Sequence, residues 1–424
     1  MTMSVSTDFL PKTVSGAYKI LYIALMGVFF LLPSGTSPPT IMAGITAGIW
    51  LFSGIAFKTM PGIAAEKWFW PLSVIIILPW VGLLYTVDTA GIGMDYAEKT
   101  HYWIYGFAVA SVCAVSIPPK KMIDAFLVGL AINAVIGVFQ FAGLIPAQII
   151  HLQDGGIGYE YRGLGLGYNT LSPYLIVGIL MLSFYFRNTV DKKERLYYAA
   201  CMCLFFFHLI VLKGRTGYFT FIVLSPVIVY NMLKGFSIYK IMLICALILG
   251  FMSFSPVVQE RVALSIDELK YHIHADPEAA WGREYTTKQD RFYMWYGAVQ
   301  LIKDNPFFGV GTGGYQTALH NKAKPGWPVI SHPHNNYLYI AVSFGMIGLF
   351  IYFWFFFTIL KNGWKGRKTT HGFFILSTTL VILVSGFMNT PILDSGTAFL
   401  FALAVGLQAA VSTKAAKSRR STGK

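Results

Sequence analysis

The sequence predicts an all-α polytopic membrane protein with about twelve transmembrane helices and a mainly helical outer loop module between spans nine and ten. Three observations predict it. Of 424 residues, 55% are hydrophobic and only 12% are charged, about half the charged share of soluble domains. Apolar runs of membrane-spanning length recur along the chain. The basic residues also alternate between the loops in a way that only a membrane explains.

A transmembrane helix needs about 20 mostly apolar residues. Such runs lie near 17–33, 41–57, 68–86, 102–117, 122–144, 171–186, 196–212, 217–233, 239–255, 336–360, 372–388 and 395–411. Proline or glycine occupies most joints, as at 34–39. Lys12 precedes the first run, Lys19 stands at its start, and no convincing cleavage site follows, so a retained span is expected. The expected organisation is nine spans over 1–255, the loop module over 256–335, spans ten to twelve over 336–411, and a basic tail over 412–424.

Short loops rich in Lys and Arg stay on the cytoplasmic side. With the N-terminus inside, the inner segments carry 21 basic residues, among them Lys120, Lys121, Arg187, Lys361 and the tail lysines and arginines. The short outer loops carry four, namely Lys99, Arg162, Lys213 and Arg215. Both termini are therefore expected inside. The long loop carries eight charges of each sign, so the net charge of +14 is made of +16 on the inner face against −2 on the short outer loops. It reads as topological and lipid-facing, which argues against nucleic acid. Cys113, Cys201, Cys203 and Cys245 all fall in apolar runs, against both a disulfide framework and a thiolate metal site.

Within the long loop, 257–272 reads as a helix with Val258, Val262, Ile266 and Leu269 on one face. A second helix is expected over 290–303, with Arg291, Trp295, Ala298 and Ile302 at near-helical spacing, and Asn305-Pro306 stops it. The turn that follows holds Gly309, Gly311, Gly313 and Gly314. Such a turn serves either as a phosphate cradle or as a tight structural bend. No Walker lysine-serine follows, which favours the bend.

Polar groups at a membrane face point to function unless they are paired structurally. On the outer side Arg162, Arg215, Arg291 and His334 stand out. Helix N-termini attract anions, so an arginine just before span eight is odd electrostatically unless an anion sits there. Taken alone, each arginine reads as a headgroup anchor. Three arginines and a histidine on one face point to an anionic lipid substrate. His208, inside span seven, reads as a satisfied interhelical donor; His101, His151 and His371 read as interfacial. His332 and His334 together hint at a metal, but no carboxylate or third ligand lies nearby in sequence, and no paired acids on the outer loops are spaced to hold a divalent cation. No cofactor is expected.

The segment RFYMWYGAVQLIKDNPFFGVGTGGYQ, followed by SHPHNNYLYIAVSFGMIGLFIYF, resembles the O-antigen ligase and polymerase superfamily of bacterial envelopes. The resemblance rests on Arg291 and Trp295 in one helix, the Pro306, Gly309 and Gly311 turn, and His334, Asn335, Tyr337 and Leu338 at the start of a span. Gly214-Arg215-Thr216 stands where relatives often show Ser-Arg-Gly. The resemblance implies a GT-C-like, metal-independent glycosyltransferase in a Gram-negative inner membrane, working on the periplasmic face. It implies undecaprenyl-diphosphate-linked glycan as donor and lipid A–core oligosaccharide as acceptor. His334 is then the base, and Arg215, Arg291 and Arg162 are diphosphate ligands, with Lys213, His332, Asn336 and Tyr337 as secondary site residues.

Rival readings are an O-antigen polymerase and a protein O-oligosaccharyltransferase. From another class, twelve spans also fit a lipid-linked glycan flippase or transporter. A transporter should carry mid-membrane charges and repeated halves with broken helices, and neither feature is visible in the sequence.

Overall fold

The computed structural model describes residues 16–147, 160–233, 235, 237–274, 291–322 and 330–411. Lys12, His151, Lys234, most of the loop between 275 and 290, and the basic tail 412–424 lie outside them. The described chain is all helix and connection, with no strand among these residues. In order come α1 (Gly16–Leu31), α2 (Ser37–Phe52), α3 (Ile55–Ala64), α4 (Phe69–Leu83), α5 (Ile92–Glu98), α6 (Tyr102–Ala114), α7 (Lys120–Phe141) and α8 (Tyr168–Asn188). Then follow α9 (Lys192–Val211), α10 (Arg215–Met232), α11 (Ile238–Ser253), α12 (Pro256–His274), α13 (Arg291–Asp304), α14 (Tyr315–Lys322), α15 (Asn336–Lys365), α16 (Thr370–Ser385) and α17 (Ser395–Gly406).

Eleven of the twelve apolar runs each fall on one of these helices; the run 41–57 crosses the bend from α2 into α3. Among the described residues, five helices are long and apolar enough to cross a membrane: Gly16–Ser34, Lys120–Phe141, Tyr168–Asn188, Lys192–Val211 and Asn336–Lys365. The number is seven if α2 with α3 (bent 89°) and α11 with α12 (bent 95°) each form one broken span. The shorter helices include α6 with 13 residues and α16 with 16. At about 1.5 Å per residue they fall short of an about 30 Å hydrocarbon core.

Helix α8 is the centre of the bundle. Its run from Leu175 to Leu182 is apolar all round, the pattern of a helix buried on every side. Every residue from Thr170 to Tyr185 is buried, packed among α7, α9, α10, α16 and α17. Outward faces keep exposed apolar side chains such as Ile41, Phe57, Leu247 and Phe350, a surface suited to lipid. His208, fully buried on α9, approaches the Tyr161 carbonyl at 2.8 Å through Nε2. This partner lies in the connection before α8 and not on a helix, and His208 Nδ1 is buried without a partner, so the expected satisfied interhelical donor is met only in part. Gly137 of α7 leaves room for the ring, since a Cβ there would stand 2.2 Å from Nε2.

The glycine turn is structural. Helix α15 breaks at Gly345 (φ 64°, ψ −160°), which frees carbonyls that a continuous helix would use. The turn supplies the missing donors: Val310 N–H to Val342 O at 2.8 Å and Gly311 N–H to Ser343 O at 3.0 Å. Met346 N–H returns to Pro306 O at 2.8 Å. On its other side Thr312 N–H reaches Gly82 O of α4 at 3.3 Å, and Val87 N–H reaches Val310 O at 3.0 Å. With these amides engaged, the turn is a wedge between α4 and the break in α15, not a phosphate cradle. Glycine is required on both faces of the contact: a Cβ on Gly309 (φ 70°) would lie 2.2 Å from Val342 O, and one on Gly345 would lie 2.2 Å from the Phe307 carbonyl carbon.

The two loop helices form where expected, but their buried faces differ. On α13 the buried residues are Tyr293, Met294, Gly297, Ala298 and Leu301, whereas Trp295 and Ile302 are half-buried. Gly297 sets this register by admitting Leu319 of α14, whose Cδ1 would lie 2.7 Å from a Cβ there. These residues form a second small core with Val310, Tyr315 and Val342. On α12 the expected apolar face is largely exposed, with Val262 at 49% and Ile266 at 45%. Of that face only Val258 is buried, together with Arg261 beside it. Apolar side chains turn outward when lipid, not water, lies outside.

Gly309→Ala is expected to lower the Tm of the detergent-solubilised protein by several degrees. The left-handed backbone costs about 1–2 kcal/mol and the carbonyl clash adds to it. Gly44→Ala, in open space, should leave Tm within about 0.5 kcal/mol equivalent. Equal Tm values for the two variants would contradict the wedge.

Candidate active site

The site is built where α15 begins. Asn335 is its N-cap: the side-chain oxygen accepts the amides of Tyr337 and Leu338, each at 3.0 Å. Its side-chain nitrogen donates to Phe387 O at 3.1 Å, and the Asn336 amide donates to Gly386 O at 2.7 Å. The 386–394 loop is thereby fastened to the start of α15.

His334 stands immediately before this cap with φ 47°, a left-handed conformation rare outside glycine. Two contacts hold it. Its amide donates to His332 Nδ1 at 3.3 Å, and its own Nδ1 donates to Asn389 Oδ1 at 3.3 Å. A carboxamide oxygen only accepts, so the proton sits on Nδ1 and the lone pair on Nε2. Burial pushes the His334 pKa down, and the nearby positive charges of Arg291 and Arg215 push the same way, against the Asn389 bond. The imidazole is thus kept neutral with a free basic nitrogen.

His332 has a different part. Its ring lies 4.3 Å from that of His334, and Nδ1 also stands 3.4 Å from the Thr390 hydroxyl. Burial first, then His334 and Lys99, press its pKa to about 3. It is a neutral acceptor that fixes the His334 backbone.

The cationic side comes from α10, α12 and α13. Arg291, first residue of α13, donates from Nη2 to Thr216 Oγ1 at 3.3 Å and from Nη1 to Met388 Sδ at 3.6 Å. Thr216 in turn donates to Met388 O at 3.3 Å, tying α10 to the loop that carries Asn389. Arg215 opens α10 after Gly214, which offers no side-chain cap, and its Nη1 donates to Ser265 Oγ at 3.4 Å. Two guanidinium groups, a helix N-terminus and a neutral imidazole thus share one region, which favours an anion.

The other sequence candidates make the following contacts. Arg162 is buried in a segment fastened to α7 and α9, where its carbonyl accepts from Asn133 Nδ2 at 3.4 Å. Lys213 pairs with Glu160 at 3.0 Å. Asn336 is fully buried and donates to the Tyr352 hydroxyl at 2.7 Å. Tyr337 donates to Leu383 O at 2.7 Å.

Beside His334 lies a cavity of about 220 Å³, walled by His332, Asn389, Thr390, Asn169, Lys99 and Asp394 among others. Its donors and acceptors suit a hydroxyl-rich ligand. Lys99 donates to Leu393 O, and burial lowers its pKa against the pull of Asp394 and Asp95. Asp394 caps α17 by accepting the Thr397 amide at 2.8 Å, and it takes the Thr170 hydroxyl at 2.8 Å. Sequence reasoning missed Asn389, Thr390 and Thr216. The only local signal was the polar Asn389-Thr390 pair between two apolar spans. No group of three or more His, Cys, Asp or Glu side chains arranged for a metal occurs among the described residues.

A family model described as O-antigen ligase matches residues 199–353. The match includes Arg215, Arg291, His332 and His334 and supports an O-antigen ligase-like family assignment. No curated protein matches the chain significantly.

The His334 imidazole is expected to titrate below its ordinary value of about 6.5. Arg291→Ala removes a charge that disfavours the imidazolium, so the pKa should rise; Asn389→Ala removes a bond that favours it, so the pKa should fall. Histidine NMR titration checks both signs, and shifts of equal sign would overturn this electrostatic reading.

Proposed function

We propose that the protein transfers O-antigen glycan from undecaprenyl diphosphate to lipid A–core oligosaccharide on the periplasmic face of a bacterial inner membrane. In this reading the chain crosses twelve times, both termini are cytoplasmic, and the 256–335 loop is a periplasmic module. The observation that carries it is the placing of a neutral, Asn389-oriented His334 within electrostatic reach of Arg215 and Arg291. The match to an O-antigen ligase family model over these residues supports the same chemistry.

The reaction is one displacement at the anomeric carbon. The acceptor hydroxyl enters through the polar cavity and loses its proton to His334 Nε2 as its oxygen bonds to the anomeric carbon. The bond from that carbon to the diphosphate oxygen breaks, and its electron pair leaves with the lipid diphosphate. Inversion follows from attack opposite the leaving group. Arg215 and Arg291 offset the charge that develops there; such preorganised donors supply several kcal/mol, and their forks match phosphate oxygens. His332 acts by positioning His334.

His334→Ala should reduce transfer by purified protein by at least about 100-fold, the scale of lost general-base catalysis, while donor binding persists. Turnover like wild type would remove His334 from the mechanism. Arg215→Lys and Arg291→Lys should recover only part of what Ala loses at limiting donor, because lysine lacks the bidentate fork. Transfer should survive exhaustive EDTA treatment, since guanidinium groups stand where a cation would otherwise offset the leaving group. Loss of activity that Mg²⁺ or Mn²⁺ restores would overturn the arginine account.

A further inference from the structure

Arg261 is a cation near this site that the reading above does not use. It lies on α12 and is 7% exposed. Its Nε is buried without a hydrogen-bond partner, and no ion pair of its guanidinium occurs among the described residues. An uncompensated buried charge is strongly destabilising. A protein keeps one where something else supplies the counter-charge.

The position says what that is. Arg261 and Ser265 are one helical turn apart on the buried face of α12, and the Ser265 hydroxyl donates to Arg261 O at 3.0 Å. The same hydroxyl accepts from Arg215 Nη1 at 3.4 Å. Arg261 is also felt by the buried phenol of Tyr218, the residue one turn beyond Arg215 on α10. Tyr218 gives its proton to backbone carbonyls, Ile210 O at 2.9 Å among them, and so provides no counter-charge. Arg261 is thus one helical turn from the serine that holds the candidate diphosphate ligand Arg215. No carboxylate among the described residues is ion-paired to its guanidinium, although Glu260, next to it in the chain, acts on the same phenol. On an adjoining face of α12, exposed Val262, Ile266 and Leu269 suit a helix lying in the lipid interface, where a lipid-borne phosphate would be at hand.

We infer that Arg261 binds the second phosphate of a lipid diphosphate, with Arg215 and Arg291 on the first, so that α12 selects diphosphate over monophosphate carriers. The inference rests on the donor assignment proposed above. It gives the third arginine of the site to Arg261 and not to Arg162.

The test is binding of unglycosylated undecaprenyl diphosphate, undecaprenyl monophosphate and phosphatidylglycerol to purified full-length protein, read by native mass spectrometry and by ligand-induced change in Tm. Wild type should prefer the diphosphate. Arg261→Met should weaken diphosphate binding by about tenfold or more, the loss of a charge-assisted contact, and bring it level with the monophosphate. Its Tm without ligand should equal or exceed that of wild type, because the buried charge is gone. Arg261→Lys should restore diphosphate binding only in part. A lower ligand-free Tm for Arg261→Met with diphosphate preference retained would show a structural role and overturn the inference. So would equal loss of phosphatidylglycerol binding, which marks an ordinary headgroup contact. Wild type binding no diphosphate would instead overturn the donor assignment itself.

Discussion

The candidate site depends on a clasp between the start of α15 and the loop after α16. Asn335 works in both directions: its side-chain oxygen caps α15, and its side-chain nitrogen holds Phe387 O at 3.1 Å. The neighbouring Asn336 amide closes on Gly386 O at 2.7 Å. With those bonds made, Asn389 reaches His334 and Met388 reaches both Arg291 and Thr216. Without them His334, its orienting amide and the cationic side would belong to separate segments. The left-handed backbone at His334, costing on the order of 1–3 kcal/mol, persists because this clasp and His332 together over-determine it.

Two structural devices deliver α15 to that point. The wedge of the glycine turn holds α4 against the break at Gly345, and the second small core seats α13 and α14 on α15. Arg291 thus begins a helix whose position is set from below by apolar packing, while its guanidinium is set from above by Thr216 and Met388. Preorganisation of this kind lets charge develop in a transition state without rearranging the protein.

Much of this was legible in the sequence. The apolar runs marked the helices, and the arginines at the starts of α10 and α13, with His334 before α15, marked the site because each signal is local. Asn389 was not legible, since its contact with His334 spans 55 residues and depends on a loop register that no periodicity encodes. The fastening of the Arg162 segment to α7 was not legible either, because an arginine in an outer loop looks the same whichever helix its backbone is bonded to. Arg261 was hidden by the Val258, Val262, Ile266 and Leu269 stripe. In water that stripe would be buried; beside lipid it can face outward, leaving the arginine face inward. The glycine turn left two uses open, and the carbonyls freed at Gly345 decide between them.

The central claim is that the anionic leaving group and the hydroxyl acceptor meet at His334, with lipid A–core as the acceptor. It is tested most directly by supplying purified protein with undecaprenyl-diphosphate-linked glycan and, in parallel reactions, lipid A–core or a second lipid-linked glycan, and following both products by mass. The account predicts glycan joined to lipid A–core with one undecaprenyl diphosphate released per transfer, and no lengthening of the lipid-linked glycan. Lengthened lipid-linked glycan with lipid A–core left unmodified would contradict it.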